Sequence, residues 1–345
     1  MLKLRKLALA SVVCLNLATV TDAGLLRDTL TDCIDYTQSA GFDDFIGTGC
    51  VDGCCECGPE WEFSTSILYL NRDQIGDQVL VTGAGGGPAL STSDFDYDYE
   101  MGFEVAGKRT IEDHFISTRF FALDSLTTNR SAVIPGFGGN IVTSPLTPFG
   151  AGDLNGTYGS DLYSLEVNLG RVVSCDTEVY LGIRGMELGE ALNVAFSTPP
   201  VFTVNSETDN YLYGLQAGGE STLFERGRFS IEGAGAAGIY WNHARSTVWA
   251  AQPPVAPTFG GTARDSDDMV AFSIEAALKA KYDLNNTLAL FAGYQLQYLG
   301  GVALAPDQWN RAGNLAVGTA TPVPTSVDSS DVIYHGFNFG LEATF

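Results

Sequence analysis

The sequence predicts an all-β fold: a transmembrane, antiparallel, up-and-down β-barrel of about ten strands, with a short Cys-rich periplasmic segment before it. Three observations predict it. Apolar and polar residues alternate along ten segments, and only a strand sorts that pattern to two faces. The connections between the segments run long, short, long, short, which matches barrels with extracellular loops and periplasmic turns and has no reason in a soluble sandwich. After residue 20 no apolar run reaches the ~18 residues of a membrane helix, so strands are the remaining way to span.

The elements follow in order. Residues 61–69 form the first strand, with Trp61, Phe63, Thr65, Ile67 and Tyr69 opposite Glu62, Ser64 and Ser66. Residues 71–93 hold Gly83, Gly85, Gly86, Gly87 and Pro88 and read as a loop. The second strand alternates most sharply. Phe95, Tyr97, Tyr99, Met101, Phe103 and Val105 fall outward; Asp94, Asp96, Asp98, Glu100, Gly102 and Glu104 fall inward. The third strand is 115–123, where Arg119 argues for odd positions inward and the interleaved Phe residues do not decide. A Gly, Pro, Ser and Thr-rich loop covers 124–159. Strand four (163–169), a turn at Cys175-Asp176 and strand five (179–184, with Arg184 inward) come next. A long loop spans 189–208. Strand six (211–220) and strand seven (229–241) flank the turn 225–228. A long loop covers 244–266. Strand eight (270–282) sets Val270, Phe272, Ile274 and Leu278 against Ser273, Glu275, Lys279 and Lys281. Strand nine (288–298) follows the turn 283–286, and a long loop covers 301–331. The last strand sets Ile333, Phe337, Phe339, Leu341, Ala343 and Phe345 against Tyr334, Gly336, Asn338, Gly340, Glu342 and Thr344. Residues 78–82 and 193–197 are further strand candidates that would raise the count to twelve, but both are too short to span.

The bulk numbers agree. The chain has 345 residues, 45% hydrophobic and only 17% charged, which excludes a disordered acidic chain. Its 40 glycines suit tight turns and small lumen-facing positions. Lys3, Arg5 and Lys6 precede an apolar run at 7–20 and small residues around Ala23, the pattern of a secretory signal peptide over 1–23. Its removal leaves 15 basic against 40 acidic side chains, a net charge of −25. So acidic a chain does not seek nucleic acid. The domains expected are therefore a signal peptide (1–23), a Cys-rich periplasmic segment (24–60) and an outer-membrane barrel (61–345). Aromatics at Tyr97, Tyr99, Tyr211, Trp241 and Tyr298 on one rim, and Trp61, Phe229, Tyr282 and Phe345 on the other, read as interfacial girdles.

A family resemblance rests on particular stretches. Leu162-Tyr-Ser-Leu-Glu-Val-Asn168, Thr208-Asp-Asn-Tyr-Leu-Tyr-Gly-Leu-Gln216, Gly233-Ala-Gly-Ala-Ala-Gly238, Trp241-Asn242, and Tyr69-Leu-Asn-Arg72 after a Cys-rich run resemble the planctomycete "putative beta-barrel porins". The terminal Phe345 on its amphipathic strand resembles the membrane-insertion signal of bacterial outer-membrane barrels. The resemblance covers roughly 61–345 and implies a barrel in the cell outer membrane, with a pore and no catalytic residues. The partners expected are outer-membrane lipid, the barrel assembly machinery, and small solutes or cations.

The candidate chemistry is lumen charge. Asp94, Asp96, Asp98, Glu100 and Glu104 form an acidic ladder, with same-face neighbours ~7 Å apart that need cations, water or bases. Arg119, Arg184, Lys279 and Lys281 are the inward bases available, and Glu275 is a further inward acid. One reading is a cation-leaning porin lumen; the other is a salt-bridged filling of a narrow barrel, because ~8 strands are filled by their own side chains. The latter fits a closed barrel that presents its loops for binding. Six exported cysteines, Cys33, Cys50, Cys54, Cys55, Cys57 and Cys175, are disulfide candidates with fifteen possible pairings. Cys54 and Cys57 have C-x-x-C spacing, but no second such pair follows and Cys54-Cys55 are adjacent, so no structural metal is expected, and no cofactor. His243 precedes a loop ending in Asp265, Asp267 and Asp268, the layout of a rim hydrolase; its outward parity favours an interfacial side chain and no enzyme.

Overall fold

The computed structural model describes residues 61–74, 76–83, 86–134, 140–141, 152–196, 202–251, 260–309, 311 and 326–345. Residues 1–60, which include the expected signal peptide and Cys-rich segment, lie outside the described residues. In chain order the strands are β1 (Trp61–Gln74), β2 (Val79–Thr82), β3 (Pro88–Ser91), β4 (Glu100–Ile111), β5 (His114–Ile134), β6 (Asn140–Ile141), β7 (Gly152–Ser174), β8 (Thr177–Phe196), β9 (Phe202–Arg226), β10 (Phe229–Ala251), β11 (Gly260–Asp283), β12 (Leu288–Val302) and β13 (Ser330–Thr344). Ten of them close an antiparallel barrel in the order β1-β13-β12-β11-β10-β9-β8-β7-β5-β4. β2, β3 and β6 make a separate small sheet.

The ring closes where β1 pairs with both β13 and β4. Trp61 and Phe345 exchange backbone hydrogen bonds of 3.1 and 2.9 Å, so both ends of the barrel sequence sit at one rim. The short turns share that rim: Glu112-Asp113, Cys175-Asp176, Gly227-Arg228 and residues 284–287. Gly227 takes φ +66°, the left-handed geometry a two-residue hairpin needs.

The strands are longer than a membrane requires. β9 has 25 residues; at ~3.4 Å per residue and a ~45° tilt that is about 60 Å of height, against an apolar band of about 25 Å. The expected loops at 124–159, 189–208 and 244–266 are largely strand: β5 runs to Ile134, β7 starts at Gly152, β8 and β9 reach Phe196 and Phe202, and β10 and β11 reach Ala251 and Gly260. The wall therefore continues past the membrane at the long-loop end.

The face that carries apolar groups changes along each long strand. On β8, Leu181 and Ile183 are 54% and 62% exposed, while Leu188 and Leu192 are fully buried. Their parity is opposite, so the first pair faces lipid and the second faces the barrel interior. β9 does the same, with Tyr213 and Leu215 outward and Val204 and Leu212 inward. Near the turns the barrel is apolar outside and polar inside. In the extension it is polar outside and apolar inside, like a water-soluble protein.

The inside of the extension is filled. Leu80 and Leu90 of the small sheet and Leu304 and Trp309 after β12 join Leu123, Leu154, Leu188, Leu212 and Val248 in one buried cluster. The Trp309 indole Nε1 donates to the Leu80 carbonyl at 2.8 Å, which satisfies its polar edge within the apolar core. Burial of each large side chain contributes about 1.5–3 kcal/mol.

Candidate functional site: a layered lumen

Three layers fill the barrel from the turn rim upward. The lowest is a ring of alternating charge. Lys279 Nζ lies 2.6 Å from Glu232 and 3.2 Å from Glu342; Lys281 Nζ lies 2.8 Å from Glu232 and 3.0 Å from Glu342. Across the lumen Lys108 Nζ lies 3.1 Å from both Glu62 and Glu178. Glu178 and Glu220 face each other directly on β8 and β9, an unfavourable like-charge pair. Glu220 is 3.5 Å from Lys279, which offsets part of that repulsion.

The middle layer is built around two arginines. Arg119 donates in a fork to Glu166 (3.1 and 3.2 Å) and to Glu275 at 2.7 Å. Arg184 pairs with Glu275 and donates from Nε to the Ser164 hydroxyl at 2.7 Å. Glu104 stands 3.8 Å from Arg119. The planar guanidinium matches a carboxylate with two parallel hydrogen bonds, so this layer is stiff. Gln216 donates to Asn168 at 2.7 Å beside it. That bridge depends on Gly182, where a Cβ would fall 1.9 Å from Asn168 Oδ1.

The upper layer is the buried pair Arg72–Glu190, both fully buried. Glu190 also accepts from the Tyr158 hydroxyl at 2.7 Å and from the Ala305 backbone N–H at 3.0 Å. It therefore ties the barrel wall to the segment after β12. Asn210 holds the same segment twice, donating to the Ala303 carbonyl and accepting from the Ala303 N–H at 2.8 and 2.7 Å. Asp307 sits in this segment. Burial pushes its carboxyl up to about 7, and the Glu190 and Asp328 charges add to the effect.

Arg119, Arg184, Glu275, Lys279, Lys281 and Glu104 thus come together inside the barrel, which gives the Arg119 strand the parity that its sequence leaves open. Glu100 is half-buried at the start of β4. Asp94, Asp96 and Asp98 require a correction. Residues 95–99 are not strand; Asp94 caps a short turn by accepting from the Ser91 N–H at 2.8 Å, and Asp96 and Asp98 are exposed. Phe95 and Tyr97 point into the buried core instead, so Tyr97 leaves the aromatic girdle. Alternation identifies two faces, and in the extension the apolar one turns inward.

Glu62, Lys108, Glu166, Glu178, Glu190, Glu220, Glu232 and Glu342 were missed as site residues. All but Glu178 and Glu190 carry a readable signal, an inward position next to an opposite charge one or two strands away; the base that meets Glu178, Lys108, is three strands away. Arg72 and Glu190, 118 residues apart, carry none. The ion pairs of the lower two layers join eight carboxylates to five bases. A cavity of about 210 Å³ lies among them, lined by Lys108, Arg119, Glu178, Glu232, Lys279 and others.

Outside the wall, His243 Nδ1 lies 2.7 Å from Asp268, and Arg245 Nε lies 3.3 Å from His243 Nε2. The hydrogen bond with His243, and then one with Trp241, holds the Asp268 carboxyl below its usual range. The side chains stand exposed above Trp241 rather than in a cleft. His335 lies 3.1 Å from Asp73 and 2.8 Å from the Tyr294 hydroxyl, also outside. Cys175 is exposed at its turn; the other five candidate cysteines lie outside the described residues.

The family model described as "putative beta barrel porin-7" matches residues 140–345. The chain belongs to that porin family. With its barrel architecture, this places it in the outer membrane. Among solved structures, this porin-family chain is similar to the outer membrane protease OmpT from Escherichia coli (10% identity, 83% of this chain and 96% of that chain covered, TM-score 0.44). It is also similar to the translocator domain of autotransporter NalP from Neisseria meningitidis (11% identity, 95% and 100% covered, TM-score 0.38). A third is the P. putida toluene transporter TodX (10% identity, 84% and 91% covered, TM-score 0.30). No curated protein matches the chain.

Proposed function

We propose that this outer-membrane barrel is closed at rest and works through its extracellular extension, as a binding or surface-structure protein without catalysis. The observation that carries this reading is the buried core across the long-loop half of the lumen, with Trp309 at 0% exposure inside it. A solute entering from outside meets packed apolar side chains, then the Arg72–Glu190 pair, then the forked arginine layer. Each is a barrier to passive flow. The planar-bilayer experiment tests it: purified protein adds no steady conductance above the bare membrane. Stable open steps with cation selectivity would overturn it.

Passive, cation-leaning passage is the second reading. It is favoured by the excess of carboxylates over bases in the lower layers and by the cavity they line. It requires the segment after β12 to leave the lumen. The exposed His243–Asp268 pair supports no hydrolase: His243→Ala is expected to leave peptide and lipid hydrolysis at background. Cys175, exposed at its turn in an exported chain, supports a disulfide to one of the other five cysteines. Non-reducing peptide mapping tests that, and recovery of a peptide with a free Cys175 thiol would remove it.

A further inference from the structure

The barrel wall has a notch in the extension. β1 pairs with β4 only as far as Leu70↔Glu100; above that, residues 71–74 pair with β13 alone. On the other side, the upper part of β5 pairs with β7 but not with β4. Residues 92–99 cross the space where β4 would continue. The notch starts just above the outward aromatic group Tyr69, Tyr99 and Phe337, where Tyr69 and Tyr99 stack at 5.2 Å. It is therefore at headgroup height.

A cavity of about 240 Å³ occupies the notch, lined by Asn71, Arg72, Asp73, Asp96, Tyr97 and Tyr158 among others. Its outer lining is exposed carboxylate, from Asp73 and Asp96. Its inner lining is Arg72, 1% exposed, whose guanidinium lies 5.1 Å from the Tyr97 ring and 4.9 Å from the Tyr158 ring. Arg72 donates to Glu190 and Tyr158 through Nη2. Its Nε and Nη1 are buried and meet no hydrogen-bond partner among the described residues. Buried donors of this kind cost free energy until an acceptor reaches them.

We infer that this notch is a binding site for a neutral saccharide ring. The chemistry selects against ions. Glu190 already neutralises Arg72, so an anion would bring a second negative charge beside it, past two rim carboxylates. A cation would be driven against a buried guanidinium. A sugar hydroxyl both accepts and donates. It can accept from Arg72 while its neighbours donate to Asp96 and to the Asp73 oxygen that His335 does not hold, and the flanking tyrosine rings give its carbon face an apolar wall. The cavity is smaller than the ~300–1,000 Å³ of sites for drug-sized ligands, which suits a single ring. The ring could be a free sugar or the headgroup of a glycolipid at the outer leaflet.

The inference rests on the reading above that the extension is the working surface. The test uses full-length mature protein in a zwitterionic, sugar-free detergent. Calorimetric titration is run with glucose, galactose and N-acetylglucosamine, then with octyl glucoside as a headgroup probe, and with acetate and phosphate as controls. At least one saccharide probe is expected to bind, and Asp96→Ala is expected to weaken it about tenfold, the loss of one charge-assisted hydrogen bond. Asp96→Asn, which keeps an acceptor, is expected to restore part of the loss. Binding of free sugars assigns a soluble ligand; binding of octyl glucoside alone assigns a lipid headgroup. The inference is overturned if no saccharide probe binds at 50 mM (about the weakest useful limit, beyond the ~1 mM range of ordinary ligands), if acetate or phosphate binds more tightly, or if Asp96→Ala changes nothing. Failure here with the conductance still absent removes the site and leaves the closed barrel standing.

Discussion

The membrane half and the extension of this barrel use one wall and opposite rules. In the membrane half, Ile183 and Leu215 face out and the lumen is charged; in the extension, Leu188 and Leu212 face in and the outside is polar. The backbone does not change between them, since β8 and β9 run through both without a break. What changes is the solvent outside. Lipid accepts apolar groups at no cost, so they need no core; water does not, so they must find one. The filled interior of the extension then follows from the same physics that leaves charges inside the membrane half.

Variants can break this comparison, and the largest effect is expected where a charge loses its partner. Arg72→Met leaves Glu190 buried beside Tyr158 without a cation, and is expected to cost about 3–5 kcal/mol, read as the urea midpoint of the detergent-solubilised protein. An unchanged midpoint would mean that Glu190 reaches water. Next, Leu188→Ala is expected to cost about 2–5 kcal/mol by leaving a cavity. On the lipid face of the same strand, Ile183→Lys is expected to cost about 2–4 kcal/mol and to be read instead as loss of insertion into vesicles. If Leu188→Ala is silent, the extension has no packed core.

Acid sharpens the comparison. Asp307 ionises at about 7 in the folded protein and at 3.8 when unfolded. The folded state therefore binds more protons between those values, and stability falls as pH rises from about 4 to about 7, then levels. The slope is at most about 1.4 kcal/mol per pH unit. Asp307→Asn is expected to flatten it, and an unaltered urea-midpoint profile in that variant would remove Asp307 as the cause. The smallest effect is expected at His243→Ala, whose partner Asp268 is exposed; the midpoint should not move.

Much of this was legible in residue order. The ten barrel strands, their turns and the lipid-facing parity of residues such as Val179, Leu181, Leu215 and Ile274 follow from alternation alone. The inward placing of Arg119 does not: its charge argues for it, but the interleaved phenylalanines leave the parity of that strand open in the sequence. The extension was not legible, because its strands carry Gly, Ser, Thr and Asn on the outside and read as loops to an eye looking for apolar residues outside. The same rule misplaced Asp94, Asp96 and Asp98: the pattern was real, but Phe95 and Tyr97 lie beyond the lipid and turn inward. Arg72–Glu190 joins elements far apart in sequence, and no local pattern announces such a pair.

Cysteine accessibility along β8 tests the change of rule most directly. Single Leu181→Cys, Leu188→Cys and Ala191→Cys variants in outer-membrane vesicles would be treated with a small charged thiol reagent. The account predicts that only the cysteine at 191 reacts, since 181 lies in lipid and 188 in a dry core. Reaction at 188 as fast as at 191 would mean that water fills the extension, and would contradict it.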